Sequence, residues 1–139
     1  DEAKYKDTYG ALYNWYTVQT KNICPLGWHV PTDNEWITLA DYLGGGSVAG
    51  GKLKESGTTH WRSPNTGATN ESGFTALPGG HRYDYSGTFH YIKNYTTFWS
   101  SIEENDAKAW YRQMIYSAAG IARTTHPKKY GCSVRCVGH

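Results

Sequence analysis

One segment predicts a helix more clearly than any other part of the chain. Thr32-Asp33-Asn34-Glu35 has the pattern of a capping box, in which a hydroxyl and a carboxylate three residues apart satisfy free backbone N–H groups where a helix begins. Apolar residues then follow at helical spacing: Trp36, Leu39, Ala40 and Leu43. Gly44 ends the pattern. We therefore predict an amphipathic helix over 32–43, with its apolar face covered by a sheet or by another helix.

The composition excludes several classes of protein. Of the 139 residues, 15% are aromatic, 19% are charged and 16 are glycine. The aromatic content is too high for a disordered chain, and the low charge argues against a helical bundle or coiled coil. No run reaches the roughly 18 apolar residues of a membrane span, and a net charge of +2 is too small for a nucleic-acid surface. The composition predicts one globular domain, with no direct membrane insertion and no nucleic-acid binding, and is more common in extracellular binding proteins than in cytosolic enzymes.

Strand-like segments follow the helix and predict an α+β fold. Residues 1–8 are charged and are predicted to fray as an N-terminal extension, whereas 9–18 is rich in aromatic and β-branched residues and predicts a strand. A short second helix is predicted near 47–55, and the polar stretch 56–72 around Trp61 predicts a long surface loop. The other predicted strands are 73–77, 81–85, 88–91, 97–101, 107–116 and 131–137, with turns at 78–80 and 86–87.

Three cysteines, Cys24, Cys132 and Cys136, allow at most one internal disulfide. If 131–137 is extended, residues four apart lie roughly 13 Å apart, whereas a disulfide needs Cα atoms within about 7 Å. A bond between Cys132 and Cys136 is therefore disfavoured, which leaves Cys24 to pair with either of them. The alternative is a cytosolic protein with three reduced, buried thiols.

Five separated blocks of the sequence resemble the Fibrobacter major paralogous domain, a family of secreted or surface-attached bacterial modules. The blocks are YGALYNWYTV, ICPLGWHVPTDNEW, GFTALPGGHR, FWSS with Glu103 after it, and YGCSVRCV. They occur in the order of the family. The family is similar in turn to C-type-lectin-like domains, including the formylglycine-generating enzyme group and the variable proteins of diversity-generating retroelements. The resemblance implies a C-type-lectin-like α+β domain over 9–137, secreted or displayed on the bacterial cell surface.

The resemblance also implies a role for the cysteines and for most of the tryptophans. In the superfamily, a cysteine just before the first helix pairs with one on the final strand, which here selects Cys24 with Cys136. The family usually has Phe at the position of Cys132, which implies a small buried thiol at an aromatic core site. Four tryptophans lie within the family blocks and are predicted to be core residues: Trp15, Trp28, Trp36 and Trp99.

The motifs of common enzyme classes are absent from the sequence. It contains no GxSxG nucleophile elbow, HExxH motif, P-loop or GxGxxG motif. The formylglycine-generating group uses a pair of cysteines near its C-terminus, but the spacing of Cys132 and Cys136 does not match that pair. The histidines lack ligand spacing beyond His81 and Asp84, and the triplets with which sugar-binding C-type lectins hold calcium are missing. We expect no catalysis and no cofactor, with calcium at the acidic stretch 103–106 as an alternative to a solvated turn.

The segment 103–129, between the FWSS and YGCSVRCV blocks, lacks a core-like pattern. It mixes aromatic, arginine, amide and hydroxyl side chains, which provide contact area at low entropic cost. In the retroelement variable proteins the same stretch is the diversified ligand surface, so the resemblance implies that it contacts a glycan or a protein. The predicted contact residues are Trp110, Tyr111, Gln113, Tyr116, Ser117, Arg123, Thr125 and His126.

The sequence therefore predicts a non-catalytic ligand-binding module for adhesion or recognition. Two alternatives remain open. One is a cysteine oxidase of the formylglycine-generating type, and the other is an architectural module that spaces further domains on a longer chain.

Overall fold

Short helices and short antiparallel strands build the fold. The structure is a computed structural model that describes residues 2–83 and 89–139. Its helices are α1 (Glu2–Tyr9), α2 (Trp15–Gln19), α3 (Asp33–Tyr42) and α4 (Ala49–Leu53). Its strands are β1 (Trp28–His29), β2 (His81–Arg82), β3 (Phe89–His90), β4 (Tyr95–Glu103), β5 (Lys108–Ile115), β6 (Ala122–Pro127) and β7 (Val137–Gly138). The prediction of an α+β fold is confirmed. None of the described helices is both long enough and apolar enough to span a bilayer.

Helix α3 confirms the prediction from the capping box. The Thr32 Oγ1 accepts a hydrogen bond from the Glu35 backbone N–H at 3.1 Å, and Glu35 Oε1 accepts one from the Thr32 N–H at 3.0 Å. Trp36 and Ala40 are buried on the inner face of α3. Helix α4 lies within the range predicted for a short second helix.

The predicted strand over 9–18 is wrong. Helix α1 runs to Tyr9 and helix α2 follows it, and a single β-bridge joins Tyr13 to Cys132. Asn14 Oδ1 caps α2 by accepting a hydrogen bond from a backbone N–H three residues on, at 3.0 Å. The two buried residues of α2, Trp15 and Val18, lie three positions apart and so on one helix face. Capping and burial of that face override the strand propensity of these aromatic residues. The separate N-terminal extension over 1–8 stays a prediction, and this stretch forms most of α1.

The largest sheet is antiparallel and has the strand order β4-β5-β6. Strand β4 includes the strand predicted over 97–101, β5 lies within the strand predicted over 107–116, and β6 lies within the predicted contact segment 103–129. Strands β1 and β7 form one two-stranded ribbon, and β2 and β3 form another. Within the described residues, the remaining predicted strands reduce to these ribbons or to isolated bridges: 73–77, 81–83, 89–91 and 131–137. The rest of the predicted strands 81–85 and 88–91 lies outside the described residues. The predicted turn at 86–87 lies outside the described residues.

Buried side chains pack on both faces of the largest sheet, because the adjacent residues Phe98 and Trp99 of β4 point to opposite sides. Phe98 belongs to a core cluster with Trp36, Trp61, Leu53 and Met114. Trp99 belongs to a second cluster with Trp15, Val18, Tyr111 and Cys132. The irregular stretch 56–72 forms the predicted loop, but its Trp61 is only 1% exposed and fills the first cluster. Trp28 was predicted to be a core residue, and that prediction is wrong because Trp28 is 51% exposed.

A disulfide joins the segment before α3 to the end of the chain. Cys24 and Cys136 are bonded, with their Cα atoms 5.8 Å apart. Cys132 is a free thiol that is fully buried in the second core cluster. Burial raises its pKa to about 12. The pairing implied by the resemblance, and the buried third thiol, are confirmed.

Candidate ligand-binding surface

The predicted contact residues lie on the β5–β6 hairpin and on the connection between its strands. In the register of the hairpin, Trp110 is opposite Thr125 and Gln113 is opposite Ala122. Paired residues share a face of the sheet. The predicted residues therefore divide between two faces rather than forming one surface.

The first face is organised around Asp33, the first residue of α3. Arg123 donates hydrogen bonds from Nε and Nη2 to the Asp33 carboxylate, at 2.9–3.1 Å. Arg112 Nη2 lies 2.8 Å from Asp33 Oδ1. Arg112 is buried, at 3% exposed, whereas the Arg123 side chain is 43% exposed. Burial alone would raise the pKa of Asp33, but the hydrogen bonds from Arg123 and Arg112 lower it overall. Asp33 is thus a fixed negative charge between a buried and an exposed guanidinium.

Trp110 extends this arrangement along β5. The guanidinium carbon of Arg123 lies 3.6 Å from the centroid of the Trp110 ring, which is cation–π geometry. Trp110 is partly buried, and the neighbouring Thr125 is partly buried as well. The side chains of Asp33, Arg123 and Trp110 therefore hold one another in place at the surface, and we call them the Asp33–Arg123–Trp110 array.

The second face is largely internal. Tyr111 is 5% exposed, and its ring stacks on the His126 ring with centroids 3.9 Å apart and planes within 1°. The Tyr111 hydroxyl donates a hydrogen bond to Gln113 Oε1 at 3.1 Å. Burial raises the pKa of Tyr111, while burial and the nearby His81 lower the pKa of His126 to about 3. Tyr111 is a core residue rather than an exposed contact, because the strand turns it towards Trp99.

The end of the hairpin provides two further predicted residues. Tyr116 is partly buried against the first core cluster, and the Arg62 guanidinium lies 4.9 Å from the centroid of its ring. Ser117 is exposed. All the predicted residues except the buried Tyr111 reach the surface at least in part: Trp110, Gln113, Tyr116, Ser117, Arg123, Thr125 and His126.

The acidic stretch considered for calcium forms the turn between β4 and β5. Asn105 Oδ1 accepts hydrogen bonds from the Ala107 and Lys108 backbone N–H groups at 2.8 and 2.9 Å. Glu103 forms an ion pair with Lys128. Within residues 2–83 and 89–139, no three His, Cys, Asp or Glu side chains converge in a way that would hold a metal ion.

The imidazoles of His81, which is buried, and of His126, which is partly buried, lie together at the second face of the hairpin. His126 is one of the predicted contact residues, whereas the sequence predicted no contact role for His81. The His81 and His126 ring centroids are 5.2 Å apart. Both ring nitrogens of His81 and Nε2 of His126 are buried without a hydrogen-bond partner. Burial also lowers the pKa of His81. Both rings are therefore neutral at physiological pH, and protonating either one inside the protein is costly.

A cleft with a volume of about 630 Å³ lies beside the disulfide, and sequence reasoning missed it. Leu26 is fully exposed and the half-exposed Trp28 lies two residues further on. Gly27, between them, has a φ of +87°, which glycine adopts readily. The sequence Pro-Leu-Gly-Trp contains the signal, since a turn at Pro25 and Gly27 exposes the apolar residue between them. The lining of the cleft comprises Val18, Lys21, Asn22, Ile23, Cys24, Pro25, Leu26, Gly27, Trp28, His29, Val30, Ser101 and His139.

The fold and these surfaces define a small, aromatic-rich α+β module with one disulfide. Its largest sheet is packed on both faces and has a partly exposed edge strand, β6. The chain belongs to the Fibrobacter succinogenes major domain family, whose sequence model matches residues 1–138. No curated protein matches the chain, and no solved structure matches it.

Proposed function

We propose that this domain is a non-catalytic recognition module of a secreted or surface-displayed bacterial protein. It binds a glycan or a protein through the exposed part of the first face of the β5–β6 hairpin, around Arg123 and Trp110. The observation that supports this proposal is the Asp33–Arg123–Trp110 array, in which an exposed guanidinium is fixed by a carboxylate on its edge and by an indole on its face.

Fixed contact groups favour recognition because binding then costs little side-chain entropy. Arg123 is half-exposed although its edge and one face are occupied, so its outer face remains available to a ligand. The hairpin below it is rigid, since Tyr111, Arg112 and Met114 of β5 are buried. Arg and Trp side chains are enriched among the residues that dominate binding energy in protein interfaces.

The state of the cysteines favours binding over the cysteine-oxidase alternative. A catalytic cysteine needs access to its substrate and an accessible thiolate. Cys24 and Cys136 are bonded to each other, and Cys132 is buried with a pKa raised to about 12. None of the three cysteines therefore provides a reactive thiolate in this structure.

The C-type-lectin-like fold and a diversified surface are parts of the same proposal. The hairpin corresponds to the stretch that is diversified in the retroelement variable proteins, to which the sequence bears a resemblance. A template repeat and a reverse-transcriptase gene beside the coding sequence would support diversification.

Arrays of glycans and of extracellular proteins test the binding function, followed by titration of any ligand found. Arg123→Ala and Trp110→Ala should each weaken binding about tenfold or more. Lys129→Ala is the matched control, because it removes an exposed cation near the end of the same segment and should leave the affinity unchanged. Thermal unfolding confirms that each variant is folded. If neither hairpin substitution changes the affinity for the ligand, the proposed site is wrong. If no array shows a ligand, the result favours the architectural spacer.

A further inference from the structure

Trp28 differs from the tryptophans of the core in being half-exposed. Trp15, Trp36, Trp61 and Trp99 are each at most 4% exposed. Trp28 lies on β1 opposite Gly138 of β7, and its Cζ3 comes within 4.0 Å of the position that a Cβ on Gly138 would occupy. The indole therefore lies over the backbone of Gly138, while the rest of it faces solvent at the cleft beside the disulfide. An aromatic ring supported in this way provides a flat apolar platform.

The walls of this cleft are fixed before any ligand arrives. The Cys24–Cys136 disulfide ties its loop to the segment before β7. The Trp28 backbone N–H donates a hydrogen bond to the Pro25 carbonyl at 2.9 Å, which closes the turn below the indole. A site that is formed in advance loses little free energy in ordering when it binds.

The imidazole of His29 is held in one orientation at the edge of the cleft. Its Nε2 contacts both oxygens of the Glu35 carboxylate at 2.8 and 3.0 Å, and its Nδ1 lies 2.8 Å from His139 Nδ1. Glu35 is in turn fixed by the capping box of α3. The position of His29 is thus determined by the helix rather than by a ligand.

The chemistry of the lining combines an apolar platform with hydrogen-bonding groups. Asn22 provides an amide, Lys21 an ammonium group and Ser101 a hydroxyl, and no aspartate or glutamate belongs to the described lining. A volume of about 630 Å³ is in the usual range for a site that encloses a small molecule. Saccharides match this combination, since a sugar ring has an apolar face of C–H groups and a rim of hydroxyl groups.

We propose that the cleft beside the Cys24–Cys136 disulfide is a saccharide-binding site. Trp28 stacks on the apolar face of a sugar ring, and Lys21, Asn22 and Ser101 form hydrogen bonds with its hydroxyl or carboxylate groups. This site is separate from the Asp33–Arg123–Trp110 array and does not depend on it.

Isothermal titration of the intact domain with neutral gluco-oligosaccharides and with oligogalacturonates tests the site. Binding of at least one of the two probes is expected, and Trp28→Ala should weaken it about tenfold or more. Trp28→Phe keeps a smaller ring and should retain part of the affinity. Tyr42→Ala is the matched control, because Tyr42 is 85% exposed and does not belong to the lining of the cleft.

Amide and indole NMR shifts, measured while the wild-type domain is titrated with the same saccharides, test the site without any substitution. Shifts should concentrate at Asn22, Trp28 and Ser101. Two results would overturn the proposal: no binding of either saccharide class, or binding that Trp28→Ala leaves intact. If, in the second of these results, Arg123→Ala abolishes the binding that Trp28→Ala leaves intact, the sugar is assigned to the hairpin. If Arg123→Ala leaves saccharide binding intact, the result supports a saccharide site separate from the Asp33–Arg123–Trp110 array.

Discussion

Lys54 is a charged residue whose side chain the fold buries completely. Its ammonium group donates hydrogen bonds to the carbonyls of Thr66, Ile115 and Ala118 at 3.0, 2.9 and 2.9 Å. Lys54→Met removes three charge-assisted hydrogen bonds made by a fully buried side chain, so we expect the free energy of unfolding to fall by about 3–5 kcal/mol. Lys52→Met, in the last turn of α4 two residues earlier, should change it by less than about 0.5 kcal/mol. Urea denaturation of both variants measures the difference, and equal losses would contradict this role of Lys54.

Also at the scale of single residues, protonation of His81 and His126 makes the free energy of unfolding depend on pH. Unfolded His126 binds a proton near pH 6.5, whereas folded His126 binds one only near pH 3. The unfolded state therefore holds more protons between these values, and the free energy of unfolding falls as the pH falls, by up to about 1.4 kcal/mol per unit for this group. His81 acts in the same direction because burial also lowers its pKa.

The variant His126→Phe isolates this contribution. It keeps a ring against Tyr111 but cannot be protonated, so unfolding measured between pH 7 and pH 4 should depend less steeply on pH than in the wild type. A slope equal to that of the wild type would show that His126 is not the group responsible.

At the scale of elements, one carboxylate ties helix α3 to the β5–β6 hairpin. Asp33→Ala leaves the buried Arg112 guanidinium without its carboxylate partner, although the backbone carbonyl of residue 33 still accepts a hydrogen bond from it, so a loss of about 3–5 kcal/mol in the free energy of unfolding is expected. Arg123→Ala removes only the exposed partner and should cost about 1 kcal/mol or less. Denaturation curves of the two variants provide the comparison, and a larger loss for Arg123→Ala would refute this assignment.

The elements also differ in how well the sequence predicts them. Helix α3 was predictable because its cap, its apolar spacing and its terminal glycine are local signals that agree. The segment 9–18 was predicted wrongly, because its aromatic and β-branched residues favour a strand and only the cap at Asn14 and the burial of Trp15 and Val18 outweigh that preference. Tyr111 was predicted to be a ligand contact for a related reason. Whether a residue of β5 is buried depends on what packs against the sheet, and the sequence of the strand does not show this.

At the scale of the whole molecule, the disulfide closes a loop with a sequence separation of 112 residues. In the chain-entropy description, its loss should lower the free energy of unfolding by somewhat under about 5 kcal/mol. Thermal and urea unfolding with and without reductant measure this effect, and reductant should have no effect on a Cys24→Ser/Cys136→Ser double variant. Thiol titration of the unreduced, unfolded protein should find one reactive thiol, and finding three would contradict the pairing.

The sequence by itself determined the α+β class, helix α3, the family and, through the family, the disulfide. Each of these depends on short-range patterns or on blocks that can be compared directly. The tertiary structure alone decided which aromatic residues are buried, because burial depends on neighbours that are distant in the chain. It placed Trp61 in the core and left Trp28 half-exposed, the reverse of what their positions in the sequence predict. The same packing brought Asp33 to Arg123, 90 residues away, and so formed the surface on which the proposed function rests.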